Sequence, residues 1–170
     1  LVDGFHTAAL AATNTLYALL RHPEVYAQVK AAPNLTAAAV MEGLRCEPPV
    51  LFLNRYVIRD VVIDGRLIPK GTTVAMLWGA GNYDPSVFPD PQSFRLDRAH
   101  SGITTFGGGT HICPGRNVAL MLVRTLLESI EEHGIELSLI ERDYTWFGNH
   151  VMGQLRSMPL KVRRHGAGNL

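Results

Sequence analysis

The stretch Phe106-Gly107-Gly108-Gly109-Thr110-His111-Ile112-Cys113-Pro114-Gly115 constrains this chain more than any other. It puts an aromatic, four glycines, a histidine and a cysteine into ten residues. It then runs straight into an apolar, helix-patterned segment from Asn117 to about His133. Glycines let a backbone pass close to something bulky and adopt φ > 0. Pro114 suits the first turn of the following helix, where a missing N–H does no harm. Cys113 is therefore expected at the mouth of a helix N-terminus, where partial positive charge favours an anionic sulfur. A thiolate on a glycine-rich loop is a metal ligand or a nucleophile.

Other readings of the same residues stay open on spacing alone. Glycine-rich loops ahead of helices bind phosphate, although this one lacks the Gly-Lys-Ser/Thr ending of a P-loop. A cysteine in an apolar sequence can be an inert core residue. A closed zinc site is disfavoured, because no CxxC or second histidine pair lies near His111 and Cys113. A cysteine nucleophile needs a base. Seven histidines are available, but no hydrolase signature accompanies them.

With 170 residues the chain can form one domain with a sizeable core. A net charge of +1 argues against a broad nucleic-acid surface. The chain has no signal-peptide pattern and no apolar run long enough to span a bilayer, so no membrane partner is expected. Two cysteines, Cys46 and Cys113, do not make a disulfide framework, and a reduced cytoplasmic setting is the expectation. The chain begins without methionine, inside a predicted helix, and its basic, glycine-containing residues 163–170 are expected to form a disordered tail.

In chain order, Leu1, Phe5, Ala8, Ala12, Leu16 and Leu19 recur at helical spacing and predict a helix to about residue 21. Pro23 opens a second helix through about Lys30. Thr36 is predicted to cap a third, from Ala37 to about Cys46, ended by Pro48-Pro49. Inside it Glu42 and Arg45, at i and i+3, share a face and can pair. Leu51 to Arg59 reads as a strand. Asp64-Gly65, between two apolar runs, fits a type I′ hairpin turn. Thr72 to Trp78 reads as a strand, and the chain is irregular from Gly79 onward. After Cys113 the predicted buried stripe is Val118, Leu122, Leu126 and Ile130. Ile135 to Leu139 reads as a strand, and Trp146 to Arg164 as a hairpin region whose tip is residues 148–153.

The pattern Phe-x-x-Gly-x-His-x-Cys-x-Gly, carried by Phe106, Gly109, His111, Cys113 and Gly115, resembles the haem-binding signature of the cytochrome P450 family, the haem-thiolate monooxygenases. Three further stretches match in order: Gly4 and Thr7 within Asp3-Gly4-Phe5-His6-Thr7, followed by Arg21-His22-Pro23-Glu24; Glu42-Gly43-Leu44-Arg45; and the meander Asn82-Tyr83-Asp84-Pro85, Phe88-Pro89-Asp90-Pro91 and Phe94. The resemblance implies that Cys113 is the axial iron ligand, a thiolate that pushes electron density onto haem iron. It implies haem b as cofactor. His111 and Arg55 would meet its propionates, Phe106 would pack beside the sulfur, and Gly107, Gly109 and Gly115 would bring the backbone close. Glu42, Arg45 and Arg98 would form a buried structural network. Thr7 would deliver protons together with His6, which stands where the family has an acid. Gly4, Val50, Leu51, Phe52, Val151 and Met152 would line the substrate pocket.

The resemblance covers residues 1–162 and corresponds to the C-terminal portion of the family fold, with the N-terminal part missing. The expected class is mainly α with small antiparallel β-sheets (α+β), of the bacterial soluble type. The implied function is a monooxygenase, or its haem-ligating part. It would insert one oxygen atom from O₂ into a small organic substrate, with electrons from a ferredoxin-like or flavin donor. A chain carrying the missing half is a further expected partner. The alternatives are a peroxide-using or rearranging haem-thiolate enzyme, because of His6, or a non-catalytic haem-binding fragment.

Overall fold

A computed structural model describes residues 2–141, 144–148 and 151–164. Helix α1 (Val2–Leu20) forms the spine, with α2 (Pro23–Ala31), α3 (Thr36–Cys46) and α5 (Arg116–Glu132) gathered about it. The core is where their apolar faces meet. Leu19, Ala39, Leu44 and Val123 are fully or almost fully buried, with Leu16, Val40, Leu127, Ile130 and Phe94 beside them. Helix α1 reaches α3 closely because position 43 is glycine. A Cβ there would stand 2.7 Å from Thr15 Cγ2 and 3.1 Å from Thr15 Cα. Tyr26 of α2 donates to Glu131 Oε1 of α5 at 3.1 Å, tying the second helix to the last.

Helix α2 opens on Pro23 as expected. Thr36 is not a cap. A 3₁₀ turn over Pro33–Leu35 feeds directly into α3, so Leu35 is the N-cap and Thr36 the first helical residue, buried. The short turn supplies the hydrogen bonds that a cap would have given.

Among the described residues, three two-stranded antiparallel sheets form: β1 (Leu53–Tyr56) with β4 (Thr73–Met76), β2 (Val61–Ile63) with β3 (Arg66–Ile68), and β5 (Ile135–Leu139) with β6 (Leu160–Arg164). Asp64 and Gly65 join β2 to β3 with φ of 47° and 73°, the left-handed pair that a type I′ turn requires. Strand β1 is shorter than the predicted Leu51–Arg59. Leu51 leaves the ladder, donating its N–H to Val151 and lending its carbonyl to Gly79. Likewise Trp78 ends no strand and begins α4 (Trp78–Gly81), a single helical turn.

Of the predicted stripe on helix α5, only Ile130 is buried. Val123, Leu127 and Ile130 face the core, whereas Val118, Leu122 and Leu126 are exposed. Apolar residues occupy most of its circumference, so period alone does not choose the face. Arg163 and Arg164, expected to open the tail, pair in β6 with Glu136 and Ile135. The tail's residues 165–170, Leu1 of the predicted first stripe, and Asn149 and His150 of the predicted tip lie outside the described residues. Among the described residues, no helix is long and apolar enough to cross a membrane.

Candidate haem-thiolate site

Glu42 and Arg45 are both fully buried. Arg45 meets the carboxylate in a fork, with Nε on Oε2 and Nη2 on Oε1, each at 2.9 Å. Arg98 adds Nε to Oε1 at 3.1 Å, the Arg95 N–H reaches Oε1 at 3.0 Å, and His100 Nε2 lies 3.1 Å from Oε2. Burial pushes the Glu42 carboxyl up. Hydrogen bonds from His100, Arg45 and the Arg95 amide, with the charge of Arg45, outweigh it and hold the pKa at about 2. The structure thus brings Glu42, Arg45 and Arg98 together. His100, which sequence reasoning did not single out, completes the ring.

The network reaches onward to the cysteine loop. Arg45 Nη1 donates to the carbonyls of Asn82 and Pro91, both at 2.9 Å. Its guanidinium lies 5.5 Å from the Tyr83 ring centroid and 5.4 Å from that of Phe88. Asn82 is fully buried. Its Nδ2 donates to the Arg45 carbonyl and to Thr105 Oγ1, and its Oδ1 accepts from the Thr104 N–H at 2.8 Å. Thr105 Oγ1 then donates to the Leu44 carbonyl at 2.8 Å. Residues 104–105 are therefore pinned to α3 immediately ahead of Phe106. Asn82, Thr104 and Thr105 were invisible as anchors in the sequence, because a polar residue in an irregular segment gives no periodic signal.

From that anchor the loop folds back on itself. The Cys113 N–H donates to the Phe106 carbonyl at 2.9 Å, and Gly107 and Gly109 take φ of 67° and 62°. A side chain at either position would be strained. Gly109–His111 form a 3₁₀ turn, and Gly115, not Pro114, is the N-cap of α5. Pro114 lies ahead of the helix rather than in its first turn, and Cys113 stands two residues before the cap. Its thiol is free and half-buried. The Arg116 guanidinium sits 5.5 Å from the Phe106 ring centroid. His111 is exposed.

The remaining predicted residues lie on other segments. Arg55, half-buried on β1, donates to the Asn54 carbonyl and lies 6.0 Å from the Trp78 ring centroid. Val50 bridges Met152, and the Leu51 N–H reaches the Val151 carbonyl at 2.8 Å, so these four residues meet. Phe52 follows them, half-buried, ahead of β1. Gly4, His6 and Thr7 sit on the first turns of α1. Gly4 and His6 are exposed, Thr7 is half-buried, and a Cβ at Gly4 would meet open space.

These residues fit an iron porphyrin in donor chemistry. Cys113 offers one soft sulfur, suited to a metal whose other ligands come from a macrocycle. The flanking backbone leaves room, since a Cβ at Gly108 or Gly109 would meet nothing within 4 Å. No acidic residue occurs between Asp97 and Glu128, a stretch carrying His100, His111, Arg116 and Arg124. That bias suits the carboxylates of a haem edge.

A helical spine, a buried Glu–Arg pair and a thiol on a glycine loop anchored to that pair together define a helix-rich α+β unit shaped around one cysteine. Comparison with known proteins gives the family. The sequence model of cytochrome P450 matches residues 1–133. The C-19 steroid 1alpha-hydroxylase of Sorangium cellulosum is 37% identical over 131 residues, covering 76% of this chain and 33% of that protein. Cytochrome P450 monooxygenase PikC of Streptomyces venezuelae is 35% identical over 169 residues, 96% of this chain and 40% of its own. Among solved structures, Mycobacterium marinum cytochrome P450 CYP150A6 superposes with a TM-score of 0.90 at 28% identity, over 95% of this chain and 42% of that one. P450BioI, in complex with a hexadec-9Z-enoic acid ligated acyl carrier protein, gives 0.87 at 28% identity, over 93% of this chain and 41% of its own. The chain belongs to the cytochrome P450 family, whose members bind haem b. It spans 33–40% of the length of these curated relatives.

Proposed function

We propose that this chain is the haem-ligating part of a monooxygenase that converts a small organic substrate RH to ROH. One atom of O₂ enters the product and the other leaves as water, with two electrons from a separate ferredoxin-like or flavin donor and two protons. The observation that carries the reading is Cys113. It is a free thiol on a glycine loop pinned through Thr105 and Asn82 to the buried Glu42–Arg45 pair, in a member of this family. Haem b, when bound, supplies the oxygen-activating redox chemistry.

The chain's own residues hold and serve that group. Cys113 gives its sulfur to iron, and Phe106 shields the sulfur side. Gly107, Gly109 and Gly115 keep the backbone close, and His111 and Arg55 neutralise the propionates. Glu42, Arg45 and Arg98 hold the loop without touching the chemistry. Thr7 and His6 pass protons inward along α1. An imidazole has two ring nitrogens, one to donate and one to accept, so His6 can serve where a carboxylate otherwise would. Val50, Leu51, Phe52, Val151 and Met152, with Gly4, form the substrate side. Exposed Leu53, Met76, Leu77 and Val151 supply apolar surface next to that segment, as an organic substrate requires.

The test is the spectrum of the haem-loaded, dithionite-reduced protein under CO. Wild type gives the thiolate-type band, and Cys113→Ser abolishes it. An unchanged band in Cys113→Ser refutes the reading. The exposed His6 in place of an acid favours a second reading, turnover with peroxide. Product formed with hydrogen peroxide, and none with O₂ and a reductase, would select it.

A further inference from the structure

We propose that Asn14 is a positioning residue, holding residues 151–155 and the Val50–Leu51 segment against α1 as one wall of the substrate side. The inference rests on the reading above for what that wall faces, and on the following geometry for the clamp itself. Asn14 lies mid-way along α1, fully buried. Its Nδ2 donates to the Gly153 carbonyl at 2.7 Å and to the Glu47 carbonyl at 3.2 Å, so one amide joins segments 139 and 33 residues away. Both acceptors are carbonyls, so chemistry fixes the amide: only the NH₂ can face them. Its Oδ1 is left buried without a hydrogen-bond partner among the described residues. A buried polar atom kept at that cost calls for a reason beyond packing, since a leucine would fill the space without it.

The reason lies in what the two carbonyls carry. The Gly153 N–H donates to the Pro49 carbonyl at 3.1 Å, the Leu51 N–H to the Val151 carbonyl at 2.8 Å, and Val50 bridges Met152. Leu51 in turn takes the Gly79 N–H on its carbonyl, and Leu53 pairs with Met76 across β1 and β4. Exposed apolar side chains from three chain segments, Val151, Leu53, Met76 and Leu77, are therefore all registered to the point where Asn14 grips. A second contact on the same helix face reinforces it. Tyr17, one turn on, meets Tyr144 and Trp146 edge-to-face at 5.6 and 5.5 Å, and Trp146 bridges Leu155. Nothing larger than glycine fits at position 153, where a Cβ would stand 2.7 Å from the Pro48 carbonyl and 3.5 Å from Asn14 Nδ2. The Asn14 grip and the Gly153 close approach are two sides of one device.

Hydrogen exchange on the chain as it stands tests the clamp without haem. In Asn14→Leu, the Leu51 and Gly153 amides should exchange about tenfold faster, the size expected for losing a buried amide's hydrogen bonds. The amides of α5 and β5–β6 should stay unchanged. Gly153→Ala, which pushes the same contact apart from the other side, should give the same pattern and stands in if Asn14→Leu fails to fold. No change, or a loss spread evenly over α5 and β6, overturns the proposal. The haem-loaded protein tests the wall with two iron-binding probes, imidazole and 4-phenylimidazole, which share a ligating ring and differ in the bulk that the wall must admit. Asn14→Leu should change the ratio of their Kd values at least threefold, an effect that general destabilisation does not produce. A constant ratio overturns the role in substrate recognition. If wild type shows no thiolate-type spectrum, the monooxygenase reading and the wall's role fail, and the exchange pattern still decides the clamp.

Discussion

Replacing Glu42 by glutamine removes the carboxylate that Arg45, Arg98 and His100 share. Two routes give the size of the loss. The carboxyl is held at about 2, against an ordinary 4.5. At about 1.4 kcal/mol per pH unit, that gap is worth about 3 kcal/mol. Breaking a buried ion pair by deleting one partner costs about 3–5 kcal/mol, because the other charge stays buried and uncompensated. The two agree on about 3 kcal/mol, a fall in Tm on the order of 10 °C for a chain of this size. Urea unfolding followed by far-UV circular dichroism at pH 7 measures it. The pH dependence adds a second check. The folded carboxylate has the lower pKa, so its stabilisation is fully present above about pH 4.5 and is lost as pH falls from there towards 2. Wild type should lose stability through that window, and Glu42→Gln should lack that component. A loss below about 1 kcal/mol at pH 7, or the same acid slope in both proteins, refutes the account of the network.

Glu47 runs the opposite way. Burial raises its carboxyl to about 7, partly offset by Arg21, so the folded state favours the protonated form. Stability from this group is present below about pH 4.5 and lost as pH rises through 7. Glu47→Gln should therefore raise Tm at pH 8 and much less at pH 5, by thermal melts at both; an equal effect at both contradicts the assignment. Gly43→Ala forces a methyl to 2.7 Å from Thr15 Cγ2 and should cost about 1–3 kcal/mol. Pairing it with Thr15→Ser removes that methyl group, so a double-mutant cycle should recover part of the loss, and strict additivity would show that the helices meet elsewhere.

How much of this was legible depended on whether a feature was local. Asp64-Gly65 specified its turn outright, because φ > 0 at two successive positions admits few residues. Glu42 and Arg45 could be paired from their i, i+3 spacing. Cys113 and its glycines announced a special loop. The anchors of that loop were not legible. Asn82, Thr104 and Thr105 act across 22 to 61 residues, through bonds that no periodicity encodes. His100 and Asn14 were missed for the same reason. The face of α5 was misread because Val118, Met121, Leu122 and Leu126 are as apolar as the residues it buries. The start of α3 was misread because a 3₁₀ turn took over the work of a side-chain cap.

The most direct test of the account is iron K-edge X-ray absorption on the haem-loaded protein, with wild type beside Cys113→Ser. One sulfur scatterer at bonding distance from iron in wild type, absent from the variant, is the predicted result. An iron shell of nitrogen and oxygen alone in wild type, or a sulfur that survives the substitution, would contradict it.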